Sequence, residues 1–142
     1  MTSSNSDNKI EAAESDYLYK AHSQIQDAGY GLFTAIDIYK DEIIAIYKGK
    51  ILSEVEVKQR VKNGKDRYFI NMLNGSIMDS LNSKCFAKYA NDANGKSKSK
   101  FKNNAVITLT DKDKVCLMAL KDIPAGDEIF CSYGKKYWKK HS

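Results

Sequence analysis

Apolar residues in this chain come in short runs broken by polar turns, and few of them repeat at helical spacing. Residues 1–15 hold Ser, Asn, Asp and Glu with almost nothing apolar, and they read as a disordered tail. From Tyr17 the pattern turns β-like. Residues 43–47 are continuously apolar and β-branched, as in a strand buried on both faces. Residues 68–72, 76–78, 105–109, 115–120 and 129–132 are further strand candidates. Turn signals separate them: Asn74-Gly75, Asp111-Lys112-Asp113 and Pro124-Ala125-Gly126. Asn74-Gly75 between two such runs predicts a hairpin. Helix is scarce. Residues 53–63 are the best case, with Ser53 and Glu56 spaced as a capping box and Gly64 as a stop. Residues 83–90 read as a short helix or an irregular turn, and 94–104 as an exposed loop. The pattern predicts a mainly β domain over residues 16–142 with few short helices.

One internal echo stands out. Ala35-Ile36-Asp37-Ile38 leads to Asp41-Glu42-Ile43, and Ala119 with Asp122-Ile123 leads to Asp127-Glu128-Ile129. Two similar strand-turn-strand units account for it without any catalytic meaning.

Composition bounds the reading. A chain of 142 residues is one domain, and 42% hydrophobic content is enough for one core without staples. No apolar run is long enough for a membrane span, and the N-terminus lacks a secretory pattern, so an intracellular protein with no membrane partner is expected. Cys85, Cys116 and Cys131 are far apart and set among apolar residues, and no pair has zinc-ligand spacing. Buried, reduced thiols and no metal are the expectation. The formal net charge is +5, much of it in Lys96, Lys98, Lys100 and Lys102 and in Lys135, Lys136, Lys139 and Lys140. Such clusters are either solubilising or a surface for a weak contact with nucleic acid or a chromatin face.

Three constellations carry candidate chemistry. Gly29-Tyr30-Gly31 allows a tight turn and a close backbone approach, either as a plain turn or as a ligand cradle. It is not the dinucleotide fingerprint, because no third glycine and no helix follow. Asn91-Asp92 and, after a loop, Asn103-Asn104 offer donors and acceptors suited to an amino-acid-like ligand, or else plain loop chemistry. Finally, residues 126–134 end a strand in Ser132-Tyr133-Gly134, and Tyr137-Trp138 follow. Trp138, the only tryptophan, either caps a core or stacks on a flat ring such as adenine.

Taken in this order, the pieces resemble the SET-domain family of protein-lysine methyltransferases, over about residues 20–138. The small stand-alone viral and bacterial members look most similar. Gly29-Tyr30-Gly31 looks like the family's cofactor turn. Tyr47-Lys48-Gly49 matches its Tyr-x-Gly strand end, and Asn91-Asp92 stands where Asn-His is usual. Asn103 or Asn104 matches the later asparagine, and residues 128–134 look like the closing strand with its tyrosine. The resemblance implies a SET-type β fold of small curved sheets with a pseudoknot-like C-terminal segment. It implies S-adenosylmethionine as cofactor, S-adenosylhomocysteine as product, and a protein lysine as acceptor, by default on a histone. Localisation would then be nuclear for a eukaryotic protein or one acting on host chromatin.

By the same resemblance Tyr133 is the catalytic residue. The cofactor would meet Gly29, Tyr30, Gly31, Asn91, Asp92, Tyr133 and Trp138. Tyr68, Phe69, Cys131 and Tyr137 would line the substrate channel. Asp92 replaces the usual histidine, a position that contributes largely through its backbone. The cysteine-rich zinc segment that often follows the domain has no counterpart, which leaves Trp138 and Tyr137 to cover the adenine and the lysine channel. A non-catalytic module of the same fold that binds a chromatin peptide is the alternative, with Asp92 as its support. A basic β-domain that binds single-stranded nucleic acid is a further one.

Overall fold

The computed structural model describes residues 9–72, 74–93 and 101–131. The chain opens on a four-residue helix, α1 (Glu14–Tyr17), which runs into β1 (Leu18–His22). Then come β2 (Tyr30–Thr34), β3 (Ile43–Ile46), β4 (Lys50–Leu52) and the helix α2 (Glu54–Lys62). The strands β5 (Phe69–Asn71) and β6 (Ile77–Asp79), a 3₁₀ turn at Phe86–Tyr89, β7 (Ala105–Leu109), β8 (Val115–Ala119) and β9 (Glu128–Ile129) complete the order. Three small antiparallel sheets result, in the orders β1-β2-β9, β3-β8-β7 and β4-β6-β5. The fold is mainly β, as the pattern predicts.

The predicted strands β3, β5, β6, β7, β8 and β9 form within a residue or two of their expected bounds, except that β9 is shorter and carries on as isolated bridges at Phe130 and Cys131. The Asn74-Gly75 hairpin forms between β5 and β6, with Gly75 at φ 88° and Met72 N–H donating to Ser76 O. The capping box is present in both directions, Glu56 N–H to Ser53 Oγ and Ser53 N–H to Glu56 Oε1. Gly49 completes the Tyr47-Lys48-Gly49 strand end for a steric reason. A Cβ there would lie 2.5 Å from the Asp79 carbonyl oxygen, so β4 leaves for the third sheet only past a glycine.

Three strands were not predicted. β1 is exposed along most of its length and lacks alternation, β2 begins inside the Gly-x-Gly motif, and β4 has three residues. Two further expectations are corrected. Residues 9–15 do not read as a tail: Lys9 bridges Ile43 and its Nζ donates to Tyr17 Oη at 3.0 Å, and Glu14 Oε2 accepts from Ile46 N–H at 3.1 Å. A register slip between Ile43 and Ala45 in β3 accompanies that contact. Nor is the loop exposed to its end, because Asn104 is buried.

The core lies between the first two sheets and gathers Leu32, Ile38, Ile44, Ile107, Leu117, Ile123 and Ile129, with Cys131 and the 3₁₀ turn against it. All three cysteines are free and buried, as expected. The sequence echo acquires a structural meaning. Ile38 and Ile123 exchange both backbone hydrogen bonds, at 2.8 and 2.7 Å. Asp37 Oδ1 accepts from Ala125 N–H, and Asp122 Oδ1 accepts from Lys40 N–H, both at 2.9 Å. The two similar units clasp each other about a local pseudo-two-fold axis.

Candidate active site

The Gly29-Tyr30-Gly31 turn lies where the loop from β1 enters β2. Gly29 has φ 73°, a conformation that costs a glycine little and other residues more. Its carbonyl accepts from Ser23 N–H at 2.8 Å, closing the loop. Tyr30 is half exposed and stacks on His22. Its carbonyl oxygen accepts from Asn91 Nδ2 at 2.9 Å, which ties two of the expected cofactor segments directly together.

Asn91 follows the 3₁₀ turn, whose Ala87 is wholly buried. The Asn91 carbonyl accepts from Cys131 N–H at 2.9 Å. On the other side of the same C-terminal segment, Asn104 Oδ1 accepts from Phe130 N–H at 2.8 Å and Asn104 Nδ2 donates to Glu128 O at 3.0 Å. Residues 128–131 are thus held between the segments that begin at Asn91 and end at Ala105, with parallel bridges to both. The residues that would close a pseudoknot-like C-terminal segment, 94–100 and 132–142, lie outside the described residues.

Asp92 uses its side chain within the site's frame. Its Oδ1 accepts from Asn103 Nδ2 at 3.0 Å, and Asn103 Oδ1 accepts from Ala93 N–H at 2.8 Å. Of the two candidates for the later asparagine, Asn103 braces Asp92 and Asn104 braces the closing strand. Cys131 has no solvent exposure, and burial first, then the Asp92 charge, push its thiol up to about 12, while the Tyr47 hydroxyl bonds to it and opposes the rise.

A cavity of about 120 Å³ opens beside this frame, lined by Gly29, Tyr30, Arg67, Tyr68, Lys88, Tyr89 and Asn91. It brings together Gly29, Tyr30 and Asn91 from the expected cofactor set and Tyr68 from the expected channel. Phe69 opens β5 next door and is not among its lining residues. Tyr89 sits at the centre, edge-on to Tyr30 and to Tyr68 with ring centroids 6.4 and 6.5 Å away. Three cations flank the rings. Lys20 Nζ lies over Tyr30 and Tyr89, Lys88 Nζ over Tyr68 and Tyr89, and Arg67 over Tyr68. Lys88 Nζ also donates to the carbonyls of Ser80, Leu81 and Ser83 at 3.0–3.1 Å, which uses all three of its protons.

Sequence reasoning assigned no site role to Lys20, Arg67, Lys88 or Tyr89, although Tyr89 opens the stretch that holds Asn91-Asp92. The adjacent pair Lys88-Tyr89, two residues before Asn91, was the available signal. Tyr133, Tyr137 and Trp138 lie outside the described residues, as do the lysine clusters apart from Lys102. Among the described residues no group of His, Cys, Asp or Glu forms a metal site, and no helix is long and apolar enough to cross a membrane.

Comparison with known proteins adds the following. The SET domain family model matches residues 29–134. A histone-lysine N-methyltransferase EZH2 of Chaetomium thermophilum is 30% identical over 128 residues, which is 81% of this chain and 8% of that protein. The H3 lysine-36-specific histone-lysine N-methyltransferase of Saccharomyces cerevisiae is 28% identical over 110 residues, covering 74% of this chain and 14% of its own length. Among solved structures, a humanized mutant of the Chaetomium thermophilum Polycomb Repressive Complex 2 bound to the inhibitor GSK126 aligns with a TM-score of 0.68. It is 28% identical and covers 82% of this chain and 15% of that one. The chain thus spans about a sixth or less of the length of the relatives it matches.

Proposed function

This chain belongs to the SET-domain family, and from that premise we propose that it transfers a methyl group from S-adenosylmethionine to the side-chain amine of a protein lysine, on a histone. The observation that carries the reading is the convergence of Gly29, Tyr30, Tyr68 and Asn91 on one cavity, from three separate stretches of chain. The relatives' names supply histone lysine as the acceptor class. Action at chromatin, and in the nucleus of a eukaryotic cell, belongs to the same proposal, as does the role of residues 16–142 as the working domain.

The residues present fit such a cofactor by their chemistry. Tyr30, Tyr68 and Tyr89 supply flat apolar surface against which the cofactor's aliphatic chain can pack. Arg67 offers donors for a carboxylate, and the backbone at Gly29 and the Asn91 side chain offer polar partners for an amino-acid group. The adenine is assigned to Trp138, outside the described residues. Bound there, the cofactor supplies an electrophilic methyl group, so no metal and no protein nucleophile is required.

The chain's own task is placement and desolvation. A free lysine amine titrates near ~10.4 and must be neutral to react. An aromatic channel including Tyr68, Phe69, Cys131 and Tyr137 disfavours the charged amine by desolvation. Tyr133 orients the neutral amine with its hydroxyl, in line with the methyl group, and water is excluded. A phenol with an ordinary pKa near ~10 is poorly suited as a general base at neutral pH, so orientation is the role assigned.

Incubation with labelled S-adenosylmethionine and mixed histones tests the proposal. Label on histone lysine supports it. Cofactor binding without transfer to any protein would instead identify a peptide-binding module.

A further inference from the structure

Gly31 owes its identity to a residue on the far strand. A Cβ at position 31 would collide with the Glu128 carboxylate, which crosses directly over it. Glu128 is 2% exposed in β9, paired with Phe33 of β2. Its Oε2 accepts from Ser23 Oγ at 2.6 Å and its Oε1 from Gln24 N–H at 2.8 Å. Ser23 Oγ in turn accepts from Ile25 N–H at 3.1 Å. A buried carboxylate is an expensive way to satisfy a surface loop unless the loop must be held in one place.

The loop it holds needs such a tie. Residues 23–29 are exposed or half-buried, so apolar burial does little to order them. Two of the hydrogen bonds that fix the loop end on Glu128, and the same strand continues to Phe130 and Cys131 between Asn91 and Asn104. We infer that Glu128 is the positioning residue of the cofactor turn. It locks the loop that ends in Gly29 to the strand that leads toward Tyr133, and Gly31 is the space that lets its carboxylate through. The inference deepens the proposed function and rests on reading residues 29–31 as the cofactor turn.

The test uses the full chain, hydrogen exchange read by mass spectrometry, and calorimetry with S-adenosylhomocysteine. Glu128→Ala is expected to speed exchange over residues 23–29, with β7 and β8 still protected. It is also expected to weaken the ligand about 10-fold or more, as loss of buried hydrogen-bond partners implies. Glu128→Gln keeps an acceptor for Gln24 N–H and is expected to fall between. Gly31→Ala alone is expected to weaken binding similarly. Added to Glu128→Ala it is expected to cost much less than it does alone, because its Cβ enters the vacated space and only the 3.2 Å approach to Ser23 Cα remains. Unchanged loop exchange in Glu128→Ala, or losses that simply multiply in the double variant, would overturn the inference. If Glu128→Ala does not fold, Glu128→Gln decides by the same exchange readout: faster loop exchange supports the inference and wild-type exchange overturns it. A wild-type chain that binds no S-adenosylhomocysteine would sink the proposed function, and the exchange arm would then judge the Glu128 tie alone.

Discussion

Tyr133 and Asn91 carry different parts of the account. Tyr133→Phe removes one hydroxyl and keeps the ring, so turnover is expected to fall by about 10-fold to 1,000-fold with little change in cofactor affinity. Single-turnover kinetics against equilibrium binding separates the two effects. Asn91 works through both its side chain and its backbone, and among the described residues the bond lost on truncation is the one to Tyr30. Asn91→Ala is expected to weaken S-adenosylhomocysteine by about 1–3 kcal/mol in calorimetry, provided the thermal midpoint shows a folded variant. Cys131 gives a pH test. Burial keeps its thiol protonated to about 12, against 9.0 without it. Between those values the unfolded chain binds fewer protons than the folded one, so stability is full below the lower value and declines as pH rises toward the upper. Tyr17, raised in the same direction by burial and by Glu14 and Glu42, adds to the slope. Cys131→Ala is expected to flatten the fall of the melting temperature between about pH 9 and about pH 12 by roughly one proton. An unchanged slope would remove Cys131 as its cause.

The helix α2 shows how element-level signals translate. Its capping box was legible because both partners lie within four residues and the chemistry is local. None of its residues is buried, so it adds little core, and Ser53→Ala is expected to cost only about 1 kcal/mol in denaturant unfolding. Arg60 on the same helix matters more. Its guanidinium pairs with Asp79 at 2.7 Å, and the Asp79 side chain is 1% exposed. Arg60→Ala strands that carboxylate with Leu81 N–H as its remaining side-chain partner among the described residues. A cost of about 2–3 kcal/mol is expected, below the ~3–5 of a fully buried pair because the Arg60 side chain is a quarter exposed. Equal losses for the two variants would contradict this ordering. Local chemistry also made the Asn74-Gly75 hairpin and the continuous apolar strand β3 readable. The strands β1 and β2 were not, because Leu18–His22 has no alternation and Gly29 and Gly31 mask the start of Tyr30–Thr34. Pairing across the sheet, not propensity, makes them strands.

At the scale of the whole molecule, the order of motifs identified the family, while the site's lining depended on contacts between distant segments. Tyr89 meets Tyr30 and Tyr68, and Lys20 meets Tyr89, only after three stretches of chain converge. Glu128 read as part of a strand motif, and its reach to Ser23 has no sequence signature. The echo between residues 35–43 and 119–129 was visible as repetition, yet its meaning as a mutual clasp appears only in the reciprocal bonds of Ile38 and Ile123. That clasp fixes the end of β2 against the start of β9, and so the Gly29-Tyr30-Gly31 turn against the strand of Glu128. The central claim is that this frame serves methyl transfer to protein lysine. The most direct measurement is mass spectrometry of mixed histones after incubation with S-adenosylmethionine and either wild-type chain or Tyr133→Phe. Mass gains of one or more methyl groups on lysine are expected with the wild type, strongly reduced with the variant. Unmodified histones beside a chain that still binds S-adenosylhomocysteine would contradict that claim.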